Sequence, residues 1–194
     1  MSSARKKRRI FLGIQILTVS RIPTAIIFAL IIQSIATDSL LYVFPFLLLA
    51  FLEVSDTMDG FLSRKFGVTS RLGEVLDPYT DSFSRLIVYW GLAQHGMVFF
   101  AVPLVMAIRD VTVAYCRIIL VSSNESPAAR IGGKIKATIQ AIGAFTAISG
   151  PILFSSPENW LVPLVSYTVM SITLLSASEY IRDALSALKR DYSE

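Results

Sequence analysis

The stretch "VSDTMDGFLSRKFGVTSRLGEVLDPYTDSFSR", Val54 to Arg85, sets four aspartates, Asp56, Asp59, Asp77 and Asp81, between two strongly apolar segments. They are four of only 14 acidic residues in a chain of 194 that is 54% hydrophobic and 16% charged. A soluble domain of this length carries more charge and fewer unbroken apolar runs. Carboxylates therefore stand where helices ought to enter a membrane, and the fold must account for them.

Outward from this stretch, apolar segments long enough, or nearly so, to span a bilayer occur six times, at about 20–36, 40–62, 73–94, 97–120, 134–154 and 160–180. The connections "RKFGVTSR" and "SSNESPAARIGGK" are polar, whereas "SIATDS", "AQHGM" and "FSSPEN" are short and lack Lys and Arg. Arg5 to Arg9 precede the first span, Arg64, Lys65 and Arg71 flank the second-to-third loop, and Arg130, Lys134 and Lys136 flank the fourth-to-fifth. Arg182, Lys189 and Arg190 follow the last. With six spans all of these fall on one side, which the positive-inside rule makes the cytoplasm. The expected fold is all-α: a polytopic integral membrane protein with six transmembrane helices, a cytoplasm-facing polar cavity and both termini inside. Residues 1–19 read as a basic, amphipathic juxtamembrane segment, 20–182 as the six-helix domain and 183–194 as a cytoplasmic tail. The basic start followed by "IFLGIQIL" also has the outline of a signal peptide, but no small-residue cleavage site follows cleanly.

Cys116 is the only cysteine and His95 the only histidine. An internal disulfide is thereby excluded, and neither His-rich metal sites nor Ser-His-Asp catalysis suits the chain. Acid–base chemistry falls to Asp, Glu, Lys, Arg or Tyr.

Continuing the second span as helix puts Asp56, Asp59, Gly60, Ser63 and Arg64 within an arc of roughly 140°. The third span brings Gly73, Asp77 and Asp81 at four-residue intervals, drifting about 40° per step. A short loop makes the two helices antiparallel neighbours whose acidic rows can face each other. Asp56 lies roughly 12 Å along the axis from Arg64, inside the cytoplasmic part of the membrane. Unpaired carboxylates there cost about 2.5–3.5 kcal/mol each, so something cationic must neutralise them. Clustered carboxylates are hard oxygen ligands, which suits Mg²⁺ or Mn²⁺, and two such ions would clamp a pyrophosphate. The alternative makes the acids loop residues at the membrane edge, paired with Arg64, Lys65, Arg71 and Arg85. Gly60 leaves bare backbone beside Asp59, and Gly73 allows close helix packing.

Written as a pattern, the segment is D-x2-D-G-x2-S-R-x8-G-x3-D-x3-D. It resembles the signature of the CDP-alcohol phosphotransferase family, departing from the usual form only at Ser63, where alanine is common. The resemblance implies that a hydroxyl attacks the β-phosphate of a CDP-activated lipid and releases CMP. It further implies that Asp56, Asp59, Asp77 and Asp81 bind two Mg²⁺ ions and that Asp81 also takes the proton from the attacking hydroxyl. Gly60, Arg64 and Ser70 would contact the CDP moiety, and the enzyme would be a homodimer in the membrane.

The acceptor must be read from other residues. Arg109 and Arg117 lie eight apart on one face of the fourth span, and an arginine at depth marks a functional site by default. Pairing with Asp110 or with the acids is the alternative for Arg109. Lys134 and Lys136 begin the fifth span and Arg21 begins the first. Together these five cations suggest an anionic pocket for a phosphorylated acceptor. "LTVSRIP", "IRD" and "GKIKATIQ" look most like bacterial phosphatidylglycerophosphate synthases, which implies transfer of a phosphatidyl group from CDP-diacylglycerol to sn-glycerol 3-phosphate. "DPYTDSFSR" matches that group less well, and inositol phosphate is the second candidate acceptor. No nucleic-acid partner is expected despite the net charge of +4. A small cation or proton transporter is the rival from another class. It would need polar residues running to the far side of the membrane, where "AIIFALIIQ" and "LLYVFPFLLLAFL" are almost wholly apolar.

Overall fold

The computed structural model describes residues 3–35, 39–67, 71–123, 131–153 and 160–191. Among them are six α-helices and no strand: α1 (Ser3–Ser34), α2 (Val43–Phe66), α3 (Arg71–Gln94), α4 (Ala101–Ser122), α5 (Ile131–Leu153) and α6 (Leu161–Asp191), with a 3₁₀ turn at Ser39–Tyr42. Each apolar segment read from the sequence thus becomes one helix. α1 and α6 run unbroken through the boundaries expected at residues 19/20 and 182/183. Between residues 10 and 20 no proline or glycine pair interrupts helix formation, and Ile14, Thr18, Arg21, Ala25 and Phe28 form one continuous buried face. Pro23 is tolerated inside α1, where the Thr24 hydroxyl donates to the Ser20 carbonyl at 2.8 Å. α2 ends at Gly67, whose φ of 59° supplies the left-handed residue that commonly closes a helix.

Successive helices alternate in direction. Thr18 meets Asp59 and Arg21 meets Asp56, which makes α1 and α2 antiparallel. Arg21 meets Asp81 and Ala29 abuts Gly91, which makes α1 and α3 parallel. The interfaces α1–α3, α4–α6, α1–α2 and α5–α6 are the most extensive. α2 and α3, expected as direct neighbours, have almost no close backbone approach among the described residues, because α1 packs on both. The reason is shape: a Cβ at Gly91 would stand 3.0 Å from Ala29 Cα, so two small residues let α1 and α3 close tightly. Gly73, assigned to helix packing from the sequence, lies in the first turn of α3.

The apolar core gathers Phe28, Ile32, Tyr89, Leu92, Val102, Met106, Ile148 and Val169. A smaller cluster, Val113, Cys116, Ala177, Tyr180 and Ala184, joins α4 to α6. Outside, large apolar side chains such as Leu30, Phe44, Leu47, Leu104, Ile108, Tyr115, Ile142 and Leu175 are exposed. Among the described residues two stretches, Arg9–Ser34 and Leu161–Arg190, are long and apolar enough to cross a membrane by length and composition. Charged residues interrupt the apolar runs of α2, α3 and α4, among them Glu53, Asp56 and Asp59, Asp77, Asp81 and Arg85, and Arg109, Asp110 and Arg117. Those residues converge at one end of the bundle.

Candidate active site

Because α1 lies between α2 and α3, it brings a cation among the acids. Arg21 is 2% exposed, and its Nη1 stands 2.8 Å from Asp56 Oδ1 and 3.8 Å from Asp59 Oδ2. Its Nη2 donates to Asp81 Oδ1 at 3.0 Å. Thr18, one turn earlier on α1, donates its hydroxyl to Asp59 Oδ2 at 3.0 Å. Three of the four aspartates are therefore joined through one guanidinium. The sequence grouped Arg21 with the cations of the acceptor pocket; in the structure its side chain stands among the carboxylates.

A second arginine, Arg85, fixes Asp81 from the other side. Its Nη2 donates to Asp81 Oδ1 at 2.8 Å, one helical turn back along α3. Its Nη1 donates both to Glu53 Oε1 on α2 and to the Ala137 carbonyl on α5, each at 3.1 Å. Pairing of the acids with basic residues, the alternative raised for Arg85, is thus present at Asp81, with Arg21 as the other partner. Glu53 belongs to the site as well. Its signal in the sequence was its place one turn before Asp56, and that of Arg85 was the four-residue spacing from Asp81.

Asp77 differs from the rest. Its Oδ1 is buried and has no hydrogen-bond partner among the described residues. Among the described residues no three His, Cys, Asp or Glu side chains are gathered closely enough to hold a metal ion as they stand. Asp56, Asp59 and Asp81 are arranged around Arg21. The donor set is nevertheless all oxygen and richer in acid than in base, and the orphaned Asp77 oxygen is what a hard divalent ion would satisfy. The residues fit such an ion chemically. Gly60 and Arg64 lie in the last turns of α2; Ser70 falls outside the described residues, as does the Arg64 side chain.

Beside this cluster opens a cavity of about 750 Å³ lined by Arg109, Arg117, Lys134 and Lys136, with Asp81, Asp110 and Tyr180 in its wall. The four cations come from α4 and the first turns of α5. Arg109 Nη1 donates to Asp110 Oδ1 at 2.9 Å, and Lys136 Nζ donates to the same oxygen at 3.2 Å. Arg109 Nε also reaches Ser176 Oγ at 3.1 Å. The Tyr180 ring carries both guanidinium groups, with Arg109 Cζ 5.8 Å and Arg117 Cζ 5.4 Å from its centroid. Arg109 is paired with Asp110, as its alternative held, and still faces the cavity. Tyr180 and Ser176 escaped sequence reading because aromatic and hydroxyl residues on an apolar helix look like ordinary packing.

Further into the bundle the polar groups thin out. Tyr89 Oη donates to the Gln140 carbonyl at 2.6 Å and Gln140 Nε2 donates to Thr173 Oγ1 at 3.0 Å. Past Gln140 on α5 come Ala144, Ala147 and Ile148 of the apolar core. The arrangement is a cationic cavity meeting an acidic cluster, with Asp81 common to both, which suits the handling of two anionic reactants at one carboxylate.

The profile of the CDP-alcohol phosphatidyltransferase family matches residues 15–177. A Bacillus subtilis protein named CDP-diacylglycerol–glycerol-3-phosphate 3-phosphatidyltransferase is 27% identical over 142 residues, 71% of this chain and 71% of that protein. A Mycobacterium tuberculosis protein named "Probable phosphatidylglycerophosphate synthase" is 26% identical over 134 residues, 68% of this chain and 61% of its own. An Aquifex aeolicus protein bearing the Bacillus name is 30% identical over 99 residues, 48% of this chain and 53% of its own. The matched region holds the whole aspartate motif and every cavity cation, and the chain belongs to the CDP-alcohol phosphatidyltransferase family of transferases.

Proposed function

We propose that the protein transfers the phosphatidyl group of CDP-diacylglycerol to sn-glycerol 3-phosphate, giving phosphatidylglycerophosphate and CMP in phospholipid biosynthesis. The observation that carries this reading is the position of Asp81, which sits in the acidic cluster and in the wall of the cationic cavity at once. A phosphorylated acceptor held by Arg109, Arg117, Lys134 and Lys136 has its free hydroxyl within the same cavity as a proton-accepting carboxylate. The hydroxyl oxygen forms a bond to the β-phosphorus, the bond from that phosphorus to CMP breaks, and CMP leaves with the electron pair. Asp81 takes the hydroxyl proton.

Asp56, Asp59, Asp77 and Asp81 hold the divalent ions, two Mg²⁺ in this reading with Mn²⁺ as a substitute. When bound, these ions neutralise the pyrophosphate of the CDP-lipid. Gly60, Arg64 and Ser70 contact the CDP moiety, as the family motif implies. The polypeptide crosses the cell membrane six times with both termini and the site facing the cytoplasm, and it works as a homodimer. The exposed apolar side chains around the bundle support the membrane reading, since a surface of this kind is at home only in an apolar medium.

The test is CMP release by detergent-purified protein given CDP-diacylglycerol and Mg²⁺, with glycerol 3-phosphate, inositol phosphate or serine offered separately. Release only with glycerol 3-phosphate is expected. Release with inositol phosphate instead would keep the mechanism and replace the acceptor, and no release from folded protein with any alcohol would return the transporter to consideration.

A further inference from the structure

Arg21 stands inside the acidic cluster, against Asp56, Asp59 and Asp81, with almost no exposure to solvent. Its three partners come from two helices whose backbones rarely approach among the described residues, so this side chain, like Arg85, helps link α2 to α3. Two features set it apart from an ordinary structural ion pair. First, it is held by charge more than by directed bonds. Nη2 hydrogen-bonds to Asp81, but among the described residues the buried Nε and Nη1 have no hydrogen-bond partner, and Nη1 meets Asp56 only as an ion pair. Second, the cluster stays acid-rich with Arg21 in place. Among the described side chains five carboxylates, Glu53, Asp56, Asp59, Asp77 and Asp81, stand with the guanidinium groups of Arg21 and Arg85, and Asp77 Oδ1 has no hydrogen-bond partner there.

We propose that Arg21 is a built-in counter-ion that competes with the divalent cation for Asp56 and Asp81. The inference rests on the reading of the four aspartates as metal ligands. A guanidinium 2.8 to 3.0 Å from two of those carboxylates holds oxygens that a small ion must take over, and it repels the ion at close range. Loading the site therefore releases Arg21 from at least one of these contacts. The Thr18 hydroxyl, 3.0 Å from Asp59, offers that ligand a contact that does not depend on Arg21. Arg21 acts through the aspartates, which makes it a positioning residue and sets metal affinity against stability without metal.

The experiment is Mn²⁺ binding to the full-length, detergent-purified protein without lipid or acceptor, followed by loss of the free-ion electron paramagnetic resonance signal and by melting temperature with and without Mn²⁺. Wild type, Arg21→Gln, Arg21→Lys and Asp77→Asn are compared. Arg21→Gln should bind Mn²⁺ at least about tenfold more tightly, within the range usual for coupling between two sites. It should also melt lower than wild type without metal and recover more on adding it. Arg21→Lys, which keeps the charge on a shorter reach, should fall between the two. Recovery of an otherwise unstable Arg21→Gln only in Mn²⁺ would support the proposal, because the ion then replaces the missing cation. If Arg21→Gln resists folding altogether, tighter binding by Arg21→Lys supports the proposal and equal or weaker binding overturns it. Equal or weaker Mn²⁺ binding by folded Arg21→Gln likewise overturns it, leaving Arg21 a plain structural bridge. Should wild type bind no Mn²⁺ that Asp77→Asn weakens, the metal reading itself fails and takes the inference with it.

Discussion

Arg85 Nη2 donates to Asp81 Oδ1 at 2.8 Å while its Nη1 holds Glu53 Oε1 and the Ala137 carbonyl, each at 3.1 Å. One side chain thus ties the carboxylate assigned to proton transfer to three helices. Arg85→Met would strand Asp81 and Glu53 beside each other without this cation. Breaking such a pair costs about 3–5 kcal/mol in a buried site, and the partial exposure of both acids here lowers the expectation to about 1–3 kcal/mol. Urea or thermal denaturation in detergent should show that loss, and CMP release should fall about a hundredfold as Asp81 loses its orientation.

Asp81→Asn removes the proton acceptor but keeps the size of the side chain. Turnover should drop by about 10³-fold or more, within and beyond the usual range for losing a general base. Binding of CDP-diacylglycerol, measured by equilibrium titration, should remain detectable. Near-normal turnover would remove Asp81 from that role.

Arg117 makes few bonds within the protein, its Nη2 lying 3.4 Å from Tyr180 Oη, yet it lines the cavity. Arg117→Ala should raise the KM for glycerol 3-phosphate about tenfold or more, as the loss of a charge-assisted contact implies. The KM for CDP-diacylglycerol should change little. An equal rise in both would place Arg117 outside the acceptor site.

The close approach of α1 and α3 gives a prediction free of the chemistry. A Cβ at Gly91 meets Ala29 Cα and Cβ at 3.0 Å, and neither belongs to a flexible side chain. Gly91→Ala should destabilise by about 1–3 kcal/mol, the usual cost of overpacking. Gly13→Ala, where nothing lies within 4 Å, should be neutral or stabilising by up to about 1 kcal/mol through helix propensity. Matched melting curves decide between them.

Outside the helices, at the end away from the acids, His95 Nε2 lies 2.7 Å from Tyr42 Oη. Burial pushes the imidazole pKa below its ordinary value. A depressed histidine pKa means the unfolded chain binds the proton more readily, so stability from this group is present above about pH 6.5 and is lost as pH falls through that value. His95→Gln should therefore show a smaller drop in melting temperature between pH 7.5 and 5.5 than wild type does.

Much of this architecture could be read from the chain because hydropathy and helical spacing are local signals. The six apolar runs became six helices, and Arg109, Arg117, Lys134 and Lys136 line one cavity. What local signals do not carry is which helices touch. A short loop made α2 and α3 look like partners, but small residues such as Ala29 and Gly91, distant in sequence, draw α1 in between. The place of Arg21 among the aspartates depends on that wedge and so has no local signal. Glu53 and Arg85 were visible as charges but not as a pair, being 32 residues apart.

The wedge also bears on the order of synthesis. Arg21 leaves the ribosome well before its partners, and Asp81 follows it by 60 residues. During synthesis the first helix therefore holds a guanidinium whose charge is met first by Asp56 and Asp59 of the second helix and in full only when the third brings Asp81. The acidic cluster is completed not by the stretch that contains its aspartates alone but by a side chain from a helix made before it.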